Sequence, residues 1–118
     1  MKKIFLAATI LFLLFSAKAQ VVPQAFNYQT IVRSTSTNEP ITSHSVCFKF
    51  TIEINNVPYY IETHTGTTNQ FGLYTTQVGT GTVVYGNFAG IPWGSSDSAK
   101  MLLVEMDLTC SQTWNQMG

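Results

Sequence analysis

The stretch Val46-Cys47-Phe48-Lys49-Phe50-Thr51-Ile52-Glu53-Ile54 alternates in character along its whole length. Large apolar side chains occupy positions 46, 48, 50, 52 and 54, and mostly polar ones lie between them. A period of two is typical of a strand with one buried and one solvated face, as in an antiparallel sheet. We therefore predict a half-buried antiparallel strand over residues 46–54.

Further strand patterns lie on both sides of this stretch. They cover residues 25–33, 59–64, 71–78, 83–85 and 100–108, and turn residues separate them. The turn at 55–58 contains two Asn residues and a Pro, so residues 59–64 are predicted to return as a hairpin partner, with Tyr59 and Ile61 facing inward. After residue 19 no segment shows a sustained helical period. This spacing of strands and turns predicts an all-β antiparallel sandwich in a single domain, residues 20–118.

The first nineteen residues have the pattern of a secretory signal peptide. Two lysines precede an apolar run over residues 4–15, and the segment ends on Ala-Lys-Ala. Cleavage is expected between Ala19 and Gln20. An uncleaved membrane anchor is the alternative, but the run is well short of the ~20 apolar residues that span a bilayer. We expect a secreted or cell-surface protein with no membrane span after cleavage. The sequence leaves periplasm, outer surface and medium open.

Removal of residues 1–19 makes the remaining chain acidic. Three of the six Lys and Arg residues leave with the signal, while all six Asp and Glu residues remain, which gives a net side-chain charge of about −3. No cluster of basic residues survives in the sequence, so nucleic acid is not an expected partner.

The two cysteines, Cys47 and Cys110, allow one disulfide in an oxidising compartment. The alternation places Cys47 on the outward face, and nothing local brings Cys110 within the ~7 Å between Cα atoms that a disulfide requires. We therefore rank unpaired or intermolecular thiols above an intramolecular disulfide. The sequence contains no CxxC spacing that would indicate a metal site.

Candidate catalytic and metal-binding residues are few. Glu62 and His64 share a strand face, and His44 could complete a zinc set, but a solvated polar face is the preferred interpretation. Asp97, Glu105 and Asp107 offer oxygen ligands without the dense Asp/Asn loop of a calcium site. Ser95 and Ser96 lack the context of a nucleophile elbow, and Glu105 and Asp107 lie on an ordinary strand. We expect no enzyme activity, no metal and no cofactor.

The aromatic residues offer the best candidates for binding. Trp93, Trp114 and Tyr85 are the possible ligand or interface residues, because Trp and Tyr are favoured at interfaces and exposed rings can stack on sugars. Trp93 lies in a Gly/Pro loop, where an indole more often closes the end of a sandwich. We therefore prefer that role for Trp93 over a ligand platform.

Several motifs resemble a module found directly after the signal peptide of exported and surface proteins of Bacteroidota. They are PQAFNYQ at 23–29, ETHT at 62–65, TNQFGLY at 68–74, GTVV at 81–84, IPWG at 91–94 and LVEMD at 103–107. The resemblance implies a non-enzymatic, Ig-like (transthyretin-like) sandwich and supplies no catalytic or binding residues. In the family, the Met-Gly that resembles Met117-Gly118 precedes a further apolar strand. The resemblance therefore implies a fragment that lacks its last strand, with an open sheet edge prone to self-association.

Two functions are consistent with these observations. The first is a structural or interaction module, the adhesin-like head of a surface or secreted protein, which binds an unknown protein or glycan. The alternative is a small lectin-like, carbohydrate-binding domain, indicated by the aromatic residues and the low charge.

Overall fold

The computed structural model describes residues 24–94 and 98–117. The predicted signal peptide, with its cleavage site at Ala19 and Gln20, lies outside the described residues. So do Ser95, Ser96 and Asp97.

Seven strands and one short 3-10 turn make up the regular structure of the described residues. The strands are β1 (Phe26–Ile31), β2 (Ser45–Ile54), β3 (Val57–Thr67), β4 (Leu73–Val78), β5 (Thr82–Gly86), β6 (Lys100–Asp107) and β7 (Asn115–Gln116), and the turn is Phe88–Gly90. All strand pairs are antiparallel. β1 and β4 form a two-stranded sheet, and the order of the five-stranded sheet is β5-β3-β2-β6-β7. The prediction of an all-β sandwich is confirmed.

The core lies between the inner face of β2 and the two-stranded sheet. All five apolar side chains of the quoted stretch are buried, as predicted: Val46, Phe48, Phe50, Ile52 and Ile54. The opposite face is not solvated as predicted, because Cys47 and Thr51 are also buried and Lys49 and Glu53 are partly buried. Tyr28 of β1 packs edge-on against Phe50, with ring centroids 5.0 Å apart. Tyr74 of β4 stacks on Phe48 at 4.4 Å. These aromatic contacts join the two sheets, since ring pairs at such distances add to the free energy of apolar burial.

The inward face of β3 differs from the prediction. Tyr60 and Glu62 are buried, whereas Tyr59 is exposed and Ile61 only partly buried. The hairpin turn Asn55-Asn56 pairs Ile54 with Val57, but a register shift after Ile52 then pairs Ile52 with Tyr60. A one-residue slip moves every side chain to the opposite face of a strand. The irregularity therefore exchanges the two faces of β3.

Trp93 closes one end of the sandwich. The 3-10 turn begins after Asn87, whose side chain accepts a hydrogen bond from the Ala89 amide, and it buries Phe88. The ring of Phe88 lies 5.2 Å from that of Trp93. In residues 24–94 and 98–117 there is no helix long and apolar enough to cross a membrane.

Candidate functional site

A groove crosses the outer face of the five-stranded sheet and has a volume of about 570 Å³. Its floor consists of outward side chains of β2 and β3, in which Cys47 pairs with Thr65 and Lys49 with Thr63, together with Ile61 of β3. Val84 of β5 forms one wall. Cys110, Gln112 and Trp114, from the connection between β6 and β7, form the other. We call this concavity the outer groove.

A disulfide between Cys47 and Cys110 joins the floor of the outer groove to its wall, with the two Cα atoms 5.2 Å apart. The prediction of unpaired or intermolecular thiols is therefore wrong. Asp107 is the strand partner of Cys47 on β6, and the chain turns directly after it, with Cys110 at a positive φ of 53°. This turn brings Cys110 back over Cys47. The sequence pattern showed the outward direction of Cys47 but not the turn.

Asp107 holds the same connection through its buried carboxylate. It accepts hydrogen bonds from the Thr109 amide and hydroxyl, at 2.9 and 2.7 Å, and from the amides of Ser111 and Thr113, at 2.7 and 2.9 Å. Burial acts to raise the pKa of Asp107, but these hydrogen bonds outweigh it and lower the pKa to about 2. Asp107 is thus a structural acceptor for residues 109–113.

The charges beside the outer groove cancel. Lys49 forms an ion pair with Glu105, its cross-strand neighbour on β6. The Lys49 ammonium also lies 5.3 Å from the centroid of the Trp114 ring. A cation over an indole face is an attractive contact, so Lys49 holds Trp114 in place as well as neutralising Glu105.

A second cluster of polar groups lies inside the sandwich, around Glu62. This carboxylate is fully buried. It accepts hydrogen bonds from the Tyr60 hydroxyl at 2.5 Å, from His64 Nε2 at 2.6 Å, and from the amides of Gly79 and Gly81 at 2.9 and 3.2 Å. Burial, and then the hydrogen bond to Glu62 and its negative charge, raise the pKa of Tyr60 well above the ordinary value.

The interpretation of Glu62 and His64 as a solvated polar face is therefore wrong. The two side chains do share a face, but the register of β3 turns that face inward, where Thr76 also contacts His64 Nδ1 at 3.0 Å. His44 is exposed and donates from Nδ1 to its neighbouring carbonyl. No three His, Cys, Asp or Glu side chains within residues 24–94 and 98–117 are grouped so that they could hold a metal ion.

The structure does not bring the three predicted aromatic residues together. Trp114 lines the outer groove, whereas Trp93 contacts Phe26 and Phe88 at the end of the sandwich. Tyr85 is exposed on β5, where it pairs with Ile61. Thr63, Thr65, Val84 and Gln112 were not predicted as site residues. The signal that could have found the two threonines is the period-two pattern of β3, once its register is known.

Comparison with family models, with curated proteins and with solved structures finds no match to this chain.

Proposed function

We propose that the chain is an exported, non-enzymatic interaction module with an Ig-like sandwich fold, which acts at the cell surface or in the medium. The observation that carries this proposal is a continuous apolar stretch on an edge strand. Val83, Val84 and Tyr85 of β5 are 55, 61 and 56% exposed, and β5 pairs with β3 alone among the described strands. We call these three residues the β5 edge patch.

Apolar side chains at a sheet edge support a role in contact with a partner. Single exposed hydrophobic residues are common, but adjacent ones on an uncharged edge strand mark interaction surfaces. The strand Thr82–Gly86 contains no charged residue and no Pro, the usual devices that block edge pairing. The β5 edge patch also supports self-association through an unprotected sheet edge.

Export is supported by two independent features. One is the signal-peptide pattern that ends at Ala19. The other is the disulfide between Cys47 and Cys110, because such bonds persist in oxidising compartments. The Ig-like assignment draws support from the topology, since the chain passes between the two sheets after β1, after β3 and after β4.

The non-enzymatic role is supported by what the candidate carboxylates contact. Glu105 is ion-paired to Lys49, and Asp107 accepts four hydrogen bonds from its own loop. Glu62 has no access to solvent. Carboxylates engaged in this way stabilise the fold and have no open position for a substrate.

The experiment compares two lysine substitutions on exposed strand positions of opposite sheets. The protein exported by a bacterial host is labelled, and its binding to intact producing cells is titrated. Tyr85→Lys is expected to weaken saturable binding about tenfold or more, because truncating an interface anchor has effects of that size. Thr75→Lys, at an exposed position of β4, adds the same charge and should bind as the wild type does.

Three results would contradict the proposal. They are non-saturable binding, an equal loss in both variants, and turnover of chromogenic hydrolase substrates by the wild type. Mass spectrometry of the exported protein tests the proposed export, since the chain should begin at Gln20 after cleavage of the signal peptide.

A further inference from the structure

The outer groove has the dimensions of a ligand site. Its volume of about 570 Å³ lies within the ~300–1,000 Å³ of typical small-molecule sites. The β5 edge patch touches it only through Val84, so the groove and the patch are largely separate surfaces.

The lining combines one aromatic ring with neutral hydrogen-bonding groups. Trp114 supplies an indole, Thr63 and Thr65 supply hydroxyls, and Gln112 supplies an amide. Ile61 and Val84 complete the surface with aliphatic side chains. An aromatic face beside short neutral donors and acceptors fits a ring ligand with one apolar face and hydroxyls at its rim.

The electrostatics favour an uncharged ligand. Lys49 is the one ammonium among the described lining residues, and its ion pair with Glu105 neutralises it. His64, at the margin of the groove, directs its imidazole to the buried Glu62. A phosphate or an acidic chain would therefore find no unpaired cation here, and would have to displace Glu105 from Lys49.

The wall that carries Trp114 is held before any ligand arrives. The disulfide fixes Cys110 to β2, and the Asp107 carboxylate binds the amides of Ser111 and Thr113. The Lys49 ammonium, 5.3 Å from the centroid of the Trp114 ring, holds the indole in the groove lining. A preformed wall lowers the entropy lost on binding.

We propose that the outer groove binds a neutral oligosaccharide, with a sugar ring stacked on Trp114 and hydroxyls bound by Thr63, Thr65 and Gln112. This inference goes beyond the proposed function, because that function rests on the β5 edge patch and the outer groove is a second surface. An extended peptide is disfavoured because strand addition requires unpaired backbone groups at a sheet edge. The groove lies on a sheet face, where β2 pairs with strands on both sides.

The two tryptophans of the chain make a sharp test possible. In Trp93→Phe the remaining indole lies in the outer groove, and in Trp114→Phe it lies in the core. Both exported variants are titrated with neutral tetrasaccharides of β-1,4-linked glucose, xylose and N-acetylglucosamine. We expect at least one of them to change the emission of Trp93→Phe saturably, equally at 50 and 500 mM NaCl, and to leave the emission of Trp114→Phe unchanged.

A glycan array covers the case in which Trp93→Phe does not fold. The wild type should bind a neutral glycan, and Trp114→Ala should bind it about tenfold more weakly or worse while retaining its thermal unfolding transition. The proposal is overturned if the folded wild type binds no neutral glycan, if Trp114→Ala binds equally well, or if 500 mM NaCl abolishes binding. If the folded wild type binds no neutral glycan while its binding to cells still depends on Tyr85, this inference is overturned and the proposed function stands.

Discussion

Replacement of Glu62 by Gln tests whether the buried carboxylate organises the core and the turn after β4. Four donors converge on Glu62, and two of them are backbone amides of Gly79 and Gly81. A glutamine can place its carbonyl at the Oε2 position, where it still accepts from Tyr60 and Gly81. Its NH2 group then faces His64 Nε2 and the Gly79 amide, so Gly79 loses its 2.9 Å hydrogen bond to Oε1 and keeps its 3.0 Å hydrogen bond to Oε2.

The expected magnitude follows from these contacts. A hydrogen bond to a charged group contributes about 1.5–3 kcal/mol to stability. Glu62→Gln removes the hydrogen bond from His64 Nε2 and takes the charge from the remaining ones. We therefore expect the free energy of unfolding to fall by about 2–3 kcal/mol. For a domain of this size that loss lowers the melting temperature by about 10–20 °C. Glu62→Leu leaves all four donors without an acceptor, so its loss should exceed about 4 kcal/mol.

The assay is urea unfolding at pH 7, followed by tryptophan fluorescence, with the free energies compared at a constant m value. Glu39→Gln is the matched control, because it removes the same charge from an exposed loop and should change stability by less than about 0.5 kcal/mol. The reasoning fails if Glu62→Gln unfolds at the same urea concentration as Glu39→Gln. It also fails if Glu62→Leu is the more stable of the two Glu62 variants.

Three further predictions concern covalent, titratable and backbone features. The double substitution Cys47→Ala and Cys110→Ala should lower the free energy of unfolding by about 4 kcal/mol, the loop-closure value for cysteines 63 residues apart; a urea-unfolding loss below about 1 kcal/mol would contradict it. The pKa of Asp107 is lowered from 3.8 to about 2, so its stabilising contribution is complete above pH 4 and is lost as pH falls toward 2; urea titrations from pH 2 to 5 should show this slope in the wild type, and an unchanged slope in Asp107→Asn would refute the assignment. Gly86 has a φ of 77°, and an added Cβ would clash with the Tyr59 carbonyl oxygen, so Gly86→Ala should lose more than about 1 kcal/mol of stability, whereas Gly94→Ala, with open space at its Cβ, should melt as the wild type does.

The sequence predicted the fold where the period of two was long and unbroken. β2 has five large apolar residues in strict alternation, and all of them are buried. On β6, Leu102, Val104 and Met106 pack against the core. Such strands have only one face that can be buried without exposing several large side chains, so the pattern alone determines the orientation.

The faces of β3 could not be predicted in the same way. The side chain of Tyr59 faces inward if a regular ladder follows the turn, and that is the orientation predicted from the sequence. The observed irregularity after Ile52 advances the partner by one residue. What favours the shifted register is a set of long-range contacts, in which Glu62 meets the amides of Gly79 and Gly81. The positions of these amides depend on β4 and on the turn after it, which a local pattern does not encode.

The candidate site could not be predicted from the sequence for the same reason, because its shape depends on contacts between distant segments. Trp114 could be proposed from its residue type, but its groove could not. The floor requires the register of β3, and the wall requires the positive φ of Cys110 that closes the disulfide. Neither is a property of a single segment.

The disulfide also determines how the domain would respond to mechanical tension. A force applied to the chain beyond Cys110 reaches Cys47 on β2 through a covalent bond, so β6 is not part of the path that bears the load. The 63 residues between the two cysteines represent about 220 Å of extended chain that cannot be released while the bond is intact. An oxidised domain pulled from its C-terminal side would therefore lose β7 first, and β2, β3 and β6 would remain within the closed loop.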